Sequence, residues 1–277
     1  MSEQPVQHPI GVRRVRVPHL RQMKDAGRPI TMLTAYDALT AAIFDEAGID
    51  VLLVGDSMGD NLMGHETTIP VTVEDLLPHV RAVAAGARRP LVVADLPFGS
   101  YHVSPEQAVA TSVRFLKEGL AHAVKFEGGA AVLPQVRAVV AAGIPFMGHL
   151  GLTPQAEHAL GGKRVQGRGQ DAGDRLLADA LALQEAGAFA VVLEVVPAPL
   201  AERVTAALEI PTIGIGAGAG CDGQVLVWLD MAGYTSPVPR LAKAYADLRT
   251  GLRDAAAAYA DEVRSRAFPG PEQTLAE

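Results

Sequence analysis

The chain has 277 residues, a formal net charge of −7, and 49% hydrophobic residues with only 5% aromatic ones. That length is close to the roughly 250 residues of a (β/α)8 barrel, and a core so poor in rings must be filled by Val, Leu, Ile and Ala. The acidic balance removes the electrostatic basis for nucleic-acid binding, and no stretch reaches the roughly 18 uninterrupted apolar residues that a membrane span needs. A single cysteine, Cys221, makes neither a disulfide nor a thiolate cluster and points to a reducing, cytoplasmic setting.

The first 28 or so residues carry scattered arginines without an apolar run, so they are expected to be a short N-terminal extension and not a secretory signal. From there the pattern is a helical stretch ending at Gly, followed by a short apolar, β-branched run. Glu46-Ala-Gly48 precedes VLLVGDS, Lys117-Glu-Gly119 precedes AVKFEGG, Ala142-Gly143 precedes IPFMGHL, and Glu185-Ala-Gly187 precedes FAVVLEVVP. Glycine suits the left-handed position that ends a helix, and a continuous apolar run suits a strand buried on both faces of a parallel sheet. In chain order the candidate strands are ITMLTAYD, VLLVGDS, PLVVADLPF, AVKFEGG, IPFMGHLGL, FAVVLEVVP, PTIGIGAG and QVLVWLD. Helical periodicity lies between most of them, for example from Pro105 to Glu118 behind a Ser104 N-cap and from Asp174 to Ala186. Eight such units predict one (β/α)8 TIM barrel domain over residues 1–277, with closing helices at about 239–265. Two irregular insertions, Met58 to Pro70 and Thr153 to Gly173, are long enough to be lids or binding loops.

Charged residues recur where the apolar strands end: Asp56, Asp95, Lys125 with Glu127, His149 and Glu194. An unpaired buried carboxylate costs several kcal/mol, so each needs a partner, a metal or a task, and the C-terminal strand ends are where barrel enzymes keep their active sites. Lys125 and Glu127 are two apart and share a strand face. Asp56, Asp95 and Glu127 come from successive strands, and three hard oxygen ligands suit Mg²⁺. The competing use is as helix N-caps or ion-pair partners of arginines. Gly55-Asp-Ser57-Met-Gly59 imitates a hydrolase nucleophile elbow, but one strand precedes it and no long helix pattern follows, so Ser57 is expected to be a hydrogen-bond donor beside a metal ligand. The run from Gly214 to Gly220 imitates a dinucleotide fingerprint but leads into another strand; close backbone approach to a ligand or tight packing is the expected use. His65, His102, His122 and His158 are expected to be solvated or structural.

Several motifs in order, LTAYD (33–37), VGDS (54–57), GHETTIPVT (64–72), ADLPF (94–98), KFEGG (125–129), GHLGLTPQ (148–155), KRVQGRG (163–169), LEVVP (193–197) and IGIGAG (213–218), resemble the ketopantoate hydroxymethyltransferase family over about Met32 to Pro269. Val195 stands where the family often has Cys, and the GAGAGCDGQ segment departs slightly in its loop. The resemblance implies a barrel of the phosphoenolpyruvate/pyruvate superfamily type, Mg²⁺ dependence and a homo-oligomer, often a decamer. It implies transfer of the one-carbon unit of 5,10-methylenetetrahydrofolate to 3-methyl-2-oxobutanoate, giving 2-dehydropantoate through a Mg²⁺-stabilised enolate. Carried over by position, it makes Asp56, Asp95 and Glu127 metal ligands, Asp56, Ser57, Asp95 and Lys125 holders of the keto acid, and Glu194 the catalytic base. The apolar flanks of Glu194 would raise its proton affinity. The alternatives are another Mg²⁺-dependent lyase or mutase of 2-oxo acids in the same superfamily, and a catalytically silent barrel.

Overall fold

Eight parallel strands hydrogen-bond in sequence order: β1 (Ile30–Thr34), β2 (Val51–Val54), β3 (Leu91–Asp95), β4 (Ala123–Glu127), β5 (Phe146–Gly151), β6 (Ala190–Glu194), β7 (Thr212–Ile215) and β8 (Gly223–Leu226). β8 pairs back onto β1, Gly223 beside Ile30, and closes the barrel. The structure is a computed structural model that describes residues 13–275; of the N-terminal extension expected over residues 1–28, residues 1–12 lie outside the described residues. The helices in chain order are α1 (Val17–Asp25), α2 (Ala38–Glu46), α3 (Met58–Asn61), α4 (Val73–Gly86), α5 (Pro105–Lys117), α6 (Leu133–Ala141), α7 (Glu157–Leu160), α8 (Gln170–Glu185), α9 (Ala198–Ala207), α10 (Trp228–Met231) and α11 (Leu248–Ser265).

Each strand is four to six residues long, and each is shorter than its candidate run because the tail of the run becomes the loop that carries the site. QVLVWLD shows this most plainly: only GQVL is strand, and Trp228 begins a helical turn. The period-2 alternation of a strand puts one set of side chains inside the barrel and the other against the helices. Inside, Ile30, Met32, Val51, Leu53, Leu91, Val93, Ala123, Met147, Ala190, Val192, Ile213 and Val225 form one cluster. Leu20 and Met23 of α1, with Val15, join it and are fully buried. The end of the expected extension is therefore a plug, and burying two such side chains contributes about 1.5–3 kcal/mol each.

Helix signals hold in detail. The Ser104 side chain accepts from Gln107 N at the start of α5, and Thr72 and Asp75 bond reciprocally at the start of α4. Of the glycines expected in left-handed geometry, Gly48, Gly143 and Gly187 adopt it, whereas after α5 that role falls to Leu120 at φ 61°. α8 begins at Gln170, four residues before the expected Asp174. Among the described residues no helix separates β7 from β8. The glycine-rich segment runs instead against α9, where a Cβ on Gly218 would strike Ala198 and one on Gly220 would strike Glu202. Tight packing, one of the two uses expected, accounts for these two glycines.

The chain divides after Val227 into two compact units. The second, from Trp228 onward, contains α10 and α11; Asp247 caps α11 by accepting from Thr250 N, and Tyr259 packs edge-on against Phe268 with centroids 5.6 Å apart. The closing helices expected over 239–265 are this single helix, Leu248–Ser265.

Candidate active site

Followed toward their C-terminal ends, the same inward faces change from apolar to charged. β3 presents Leu91, Val93, then Asp95; β4 presents Ala123, Lys125, Glu127; β5 presents Met147, then His149; β6 presents Ala190, Val192, then Glu194. Register aligns them, with Asp95 beside Lys125 and Glu127 beside His149. Asp95, Lys125, Glu127, His149 and Glu194, together with Asp56, Ser57, Thr34 and Thr68, line a chamber of about 70 Å³ at the barrel mouth. Every residue expected to act at the site is thus in one place.

The electrostatics are unbalanced. Lys125 Nζ lies 2.5 Å from Asp95 Oδ2 and 3.2 Å from His149 Nδ1. His149 Nδ1 is 3.5 Å from Glu127 Oε1, and its Nε2 is 3.2 Å from Glu194 Oε2. Four carboxylates therefore face one ammonium and one imidazole. Burial, followed by the charges of Asp95 and Glu127, drives the Asp56 carboxyl well above the usual carboxylate range. Burial also raises Asp95, against the opposing pull of Lys125. Burial works against the charge on Lys125, but Asp95 and Glu127 outweigh it and hold the ammonium protonated. Burial and Lys125 likewise oppose protonation of His149, yet hydrogen bonding to Glu127 and Glu194 carries it up to about 9. Glu194 is the most accessible carboxylate of these four, with 18% of its side chain open, against 5% for Glu127. Leu193, next to it on the strand, faces away from the chamber, while Val192, Pro154 and Ile215 share the chamber wall with it, so Glu194 has His149, part of an apolar wall and the open mouth around it.

Sequence reasoning missed three groups. Gln155, 4% exposed, donates from Nε2 to Asp56 Oδ2 at 2.9 Å and from its backbone N to Glu127 Oε2 at 3.1 Å, and its Oε1 accepts from Tyr101 Oη at 2.7 Å. One residue from the second insertion therefore ties together two carboxylates from different strands. Tyr36, fully enclosed after β1, hydrogen-bonds Ser57 Oγ at 2.9 Å. The buried Thr68 hydroxyl lines the chamber without a hydrogen-bond partner among the described residues. All three lie in quoted motifs, which was the only available signal. The backbone also contributes: Val195, directly after Glu194, sits at φ 49°, a conformation costly for a β-branched residue. It is held there by Val195 N donating to Ile215 O and Gln166 N donating to Val195 O. This kink fixes where Glu194 ends its strand.

Ser57 heads only the four-residue α3, and its partner is Tyr36, while His149 is engaged by Lys125, Glu127 and Glu194; no hydrolase triad forms. Of the remaining histidines, His122 accepts from Val92 N at the opposite end of the barrel. His102 and His158 line a second cavity at the mouth.

The donor set suits a hard divalent cation: Asp95 Oδ1 is buried without a hydrogen-bond partner among the described residues, and an added positive charge would relieve the repulsion felt by Asp56. Among the described residues no three His, Cys, Asp or Glu side chains form a ready-made metal cage. Water and substrate oxygens would therefore have to complete the shell, as Mg²⁺ generally requires.

A family model described as ketopantoate hydroxymethyltransferase matches residues 14–271. The chain is 63% identical over 265 residues to the 3-methyl-2-oxobutanoate hydroxymethyltransferase of Paenarthrobacter aurescens, covering 95% of this chain and 88% of that one. It is 64% identical over 264 residues to the protein of the same name from Saccharopolyspora erythraea, covering 95% and 90%. Among solved structures, the fold is shared with the phosphoenolpyruvate phosphomutase of Streptomyces platensis (TM-score 0.61, 16% identity, 94% and 92% covered). A phosphonopyruvate hydrolase in complex with oxalate and Mg²⁺ is similar at TM-score 0.59 and 14% identity, covering 93% and 92%.

Proposed function

The chain belongs to the ketopantoate hydroxymethyltransferase family, and from that premise we propose how the acidic mouth carries out the transfer. The enzyme is a hydroxymethyltransferase acting on 3-methyl-2-oxobutanoate; the lyases and mutases that share its fold do so at 14–17% identity and support the alternative reading less well. The one-carbon donor in this proposal is 5,10-methylenetetrahydrofolate. The keto acid loses its C3 proton and gains CH₂OH, built from the donor methylene and the hydroxyl of water. The C3 proton and the remaining proton of water end on the two folate nitrogens, leaving tetrahydrofolate.

The observation that carries the reading is the convergence of Asp56, Asp95, Lys125, Glu127 and Glu194 on one small chamber. Asp56 and Asp95, with Glu127 beside them, would hold Mg²⁺, which when bound supplies positive charge at the carboxylate and 2-oxo oxygens of the keto acid. Lys125, kept protonated by its acidic neighbours, adds a second positive charge at those oxygens. Ser57, oriented by Tyr36, donates a hydrogen bond to the same substrate. Glu194 removes the C3 proton: it is open to the chamber, and the imidazole of His149 fixes its carboxylate from behind. The lone cysteine fits a cytoplasmic location, and no described helix is long and apolar enough to cross a membrane. Assembly into a homo-oligomer, a decamer by family resemblance, is supported by the exposed Leu248, Leu252, Tyr259 and Val263 along α11.

The test is direct. Protein, Mg²⁺, 3-methyl-2-oxobutanoate and methylenetetrahydrofolate should give 2-dehydropantoate and tetrahydrofolate in equal amounts. Cleavage of the keto acid without folate consumption would instead establish the lyase alternative.

A further inference from the structure

The transfer proposed above needs two reactants in contact, and the chamber of about 70 Å³ accommodates only the smaller one. A reduced folate carries a fused bicyclic ring, a benzoyl group and a glutamate tail, so it must lie outside that chamber while reaching it. A second cavity of about 440 Å³ opens at the same end of the barrel and shares the Glu127 wall with the first. That volume lies in the range of small-molecule sites, roughly 300–1,000 Å³.

Its walls come from four loops: Ile69 after β2, Phe98, Tyr101 and His102 after β3, Gly128 after β4, and Thr153, Ala156, His158 and Ala159 after β5. The β3 loop makes an aromatic ladder. Tyr101 stacks on His102 with centroids 4.0 Å apart, and Phe98 lies 5.0 Å beyond. Tyr101 is fully buried, but Phe98 leaves 46% of its surface uncovered. A large ring held open beside a stacked imidazole is a surface for another flat ring. Burial lowers the pKa of His102, so its imidazole stacks uncharged. Ala156 and Ala159 supply small, flat side chains, while Thr153 and His158 offer hydrogen-bonding groups to a polar heterocycle. Glu127 and the Gln155 peptide separate the cavities, so a ring seated in the outer one meets the keto acid along that edge.

We propose that this outer cavity is the seat of the fused pterin ring of the folate co-substrate, stacked along Phe98 and His102, with its methylene facing the inner chamber past Glu127. The proposal rests on the transferase reading, and the two fail differently. Phe98→Ala removes the open ring, and Ala156→Phe fills the cavity from a helical turn on the surface. In the full-length protein each should raise the KM for methylenetetrahydrofolate by roughly tenfold or more. The KM for the keto acid, and the folate-free exchange of its C3 hydrogen with deuterated water, should stay within about twofold of wild type. Calorimetric titration with tetrahydrofolate should show the same loss of affinity. An unchanged folate KM in both variants, with wild type turning over normally, would overturn the seat; so would a parallel fall in C3 exchange, which would place the damage in the inner chamber. Wild-type protein that exchanges C3 but never consumes folate would instead sink the transferase reading.

Discussion

The two ends of the barrel both bury charge, and they do so in opposite ways. At the N-terminal floor each acid has its base: Asp50 pairs with Arg89 at 2.8 Å and accepts from the Thr31 hydroxyl and N–H, and Asp222 pairs with Lys24 at 2.8 Å and accepts from Thr212 N. At the C-terminal mouth Asp56, Asp95, Glu127 and Glu194 share Lys125 and His149. Floor carboxylates are matched by protein cations and hold the fold together. Mouth charges are left short of cations, which is the condition for binding one and for moving a proton. The contrast separates residues whose loss should unfold the barrel from residues whose loss should silence it.

The largest expected effect is at the mouth. Glu194→Gln preserves size but cannot take the C3 proton, so turnover and folate-free C3 exchange, followed by NMR in deuterated water, should both fall on the order of 10² to 10⁴-fold. Thermal stability should be nearly unaffected, because Glu194 has solvent access. Exchange at the wild-type rate would move the base to another group, with His149 the next to test. At the floor the pattern should reverse. Arg89→Ala leaves Asp50 buried and unpaired, and denaturant unfolding should show a loss of about 3–5 kcal/mol. The kcat of the protein that remains folded should stay close to wild type. A comparable fall in kcat would show that the floor is coupled to the site.

How much of this was legible in the sequence depends on periodicity. Lys125 and Glu127 could be placed on one inward face because a strand alternates strictly, and Asp95 and Glu194 could be found because a charge ending an apolar run stands out. α1 could not be recognised as the barrel plug: Leu20 and Met23 are two apolar residues in a short polar segment, and only the closed barrel gives them something to fill. Gln155 was equally silent. It sits in an irregular insertion, and the carboxylates it joins are 99 and 28 residues away, so no local pattern announces it. The surroundings of Glu194 were legible only in part: adjacent residues on a strand face opposite ways, so Val192 shares its chamber while Leu193 does not, and Pro154 and Ile215 come from other elements.

Gln155 gives the next prediction. Because its side chain orients Asp56 from behind, Gln155→Leu, which keeps the backbone bond to Glu127, should weaken Mg²⁺ binding about 10- to 100-fold, as loss of an outer partner to a metal ligand generally does. Calorimetric titration of the metal would measure this apart from turnover. Glu127→Ala should shift the Mg²⁺ activation curve in the same direction while leaving the fold intact. Wild-type activation in Glu127→Ala would remove Glu127 from the metal's surroundings and leave Asp56 and Asp95 as its protein oxygens.

The smallest expected effect tests the contrast itself, because it asks a mouth residue to do the opposite of a floor residue. Asp56 is driven above the usual carboxylate range first by burial and then by Asp95 and Glu127. A carboxyl whose pKa is higher folded than unfolded binds its proton more tightly in the folded state. It therefore weakens the fold as pH rises through the unfolded value and on to the folded one. With the metal chelated at pH 7, Asp56→Asn should melt at a slightly higher temperature than wild type, although it should have lost turnover. Its amide can keep the contact with Gln155 without carrying the charge. The advantage should shrink as pH is lowered, because wild type then takes up the proton that relieves it. Saturating Mg²⁺ should shrink it too, by stabilising wild type alone. A melting temperature below wild type at neutral pH in chelator would mean that the Asp56 charge is already compensated within the protein, and the mouth would then resemble the floor.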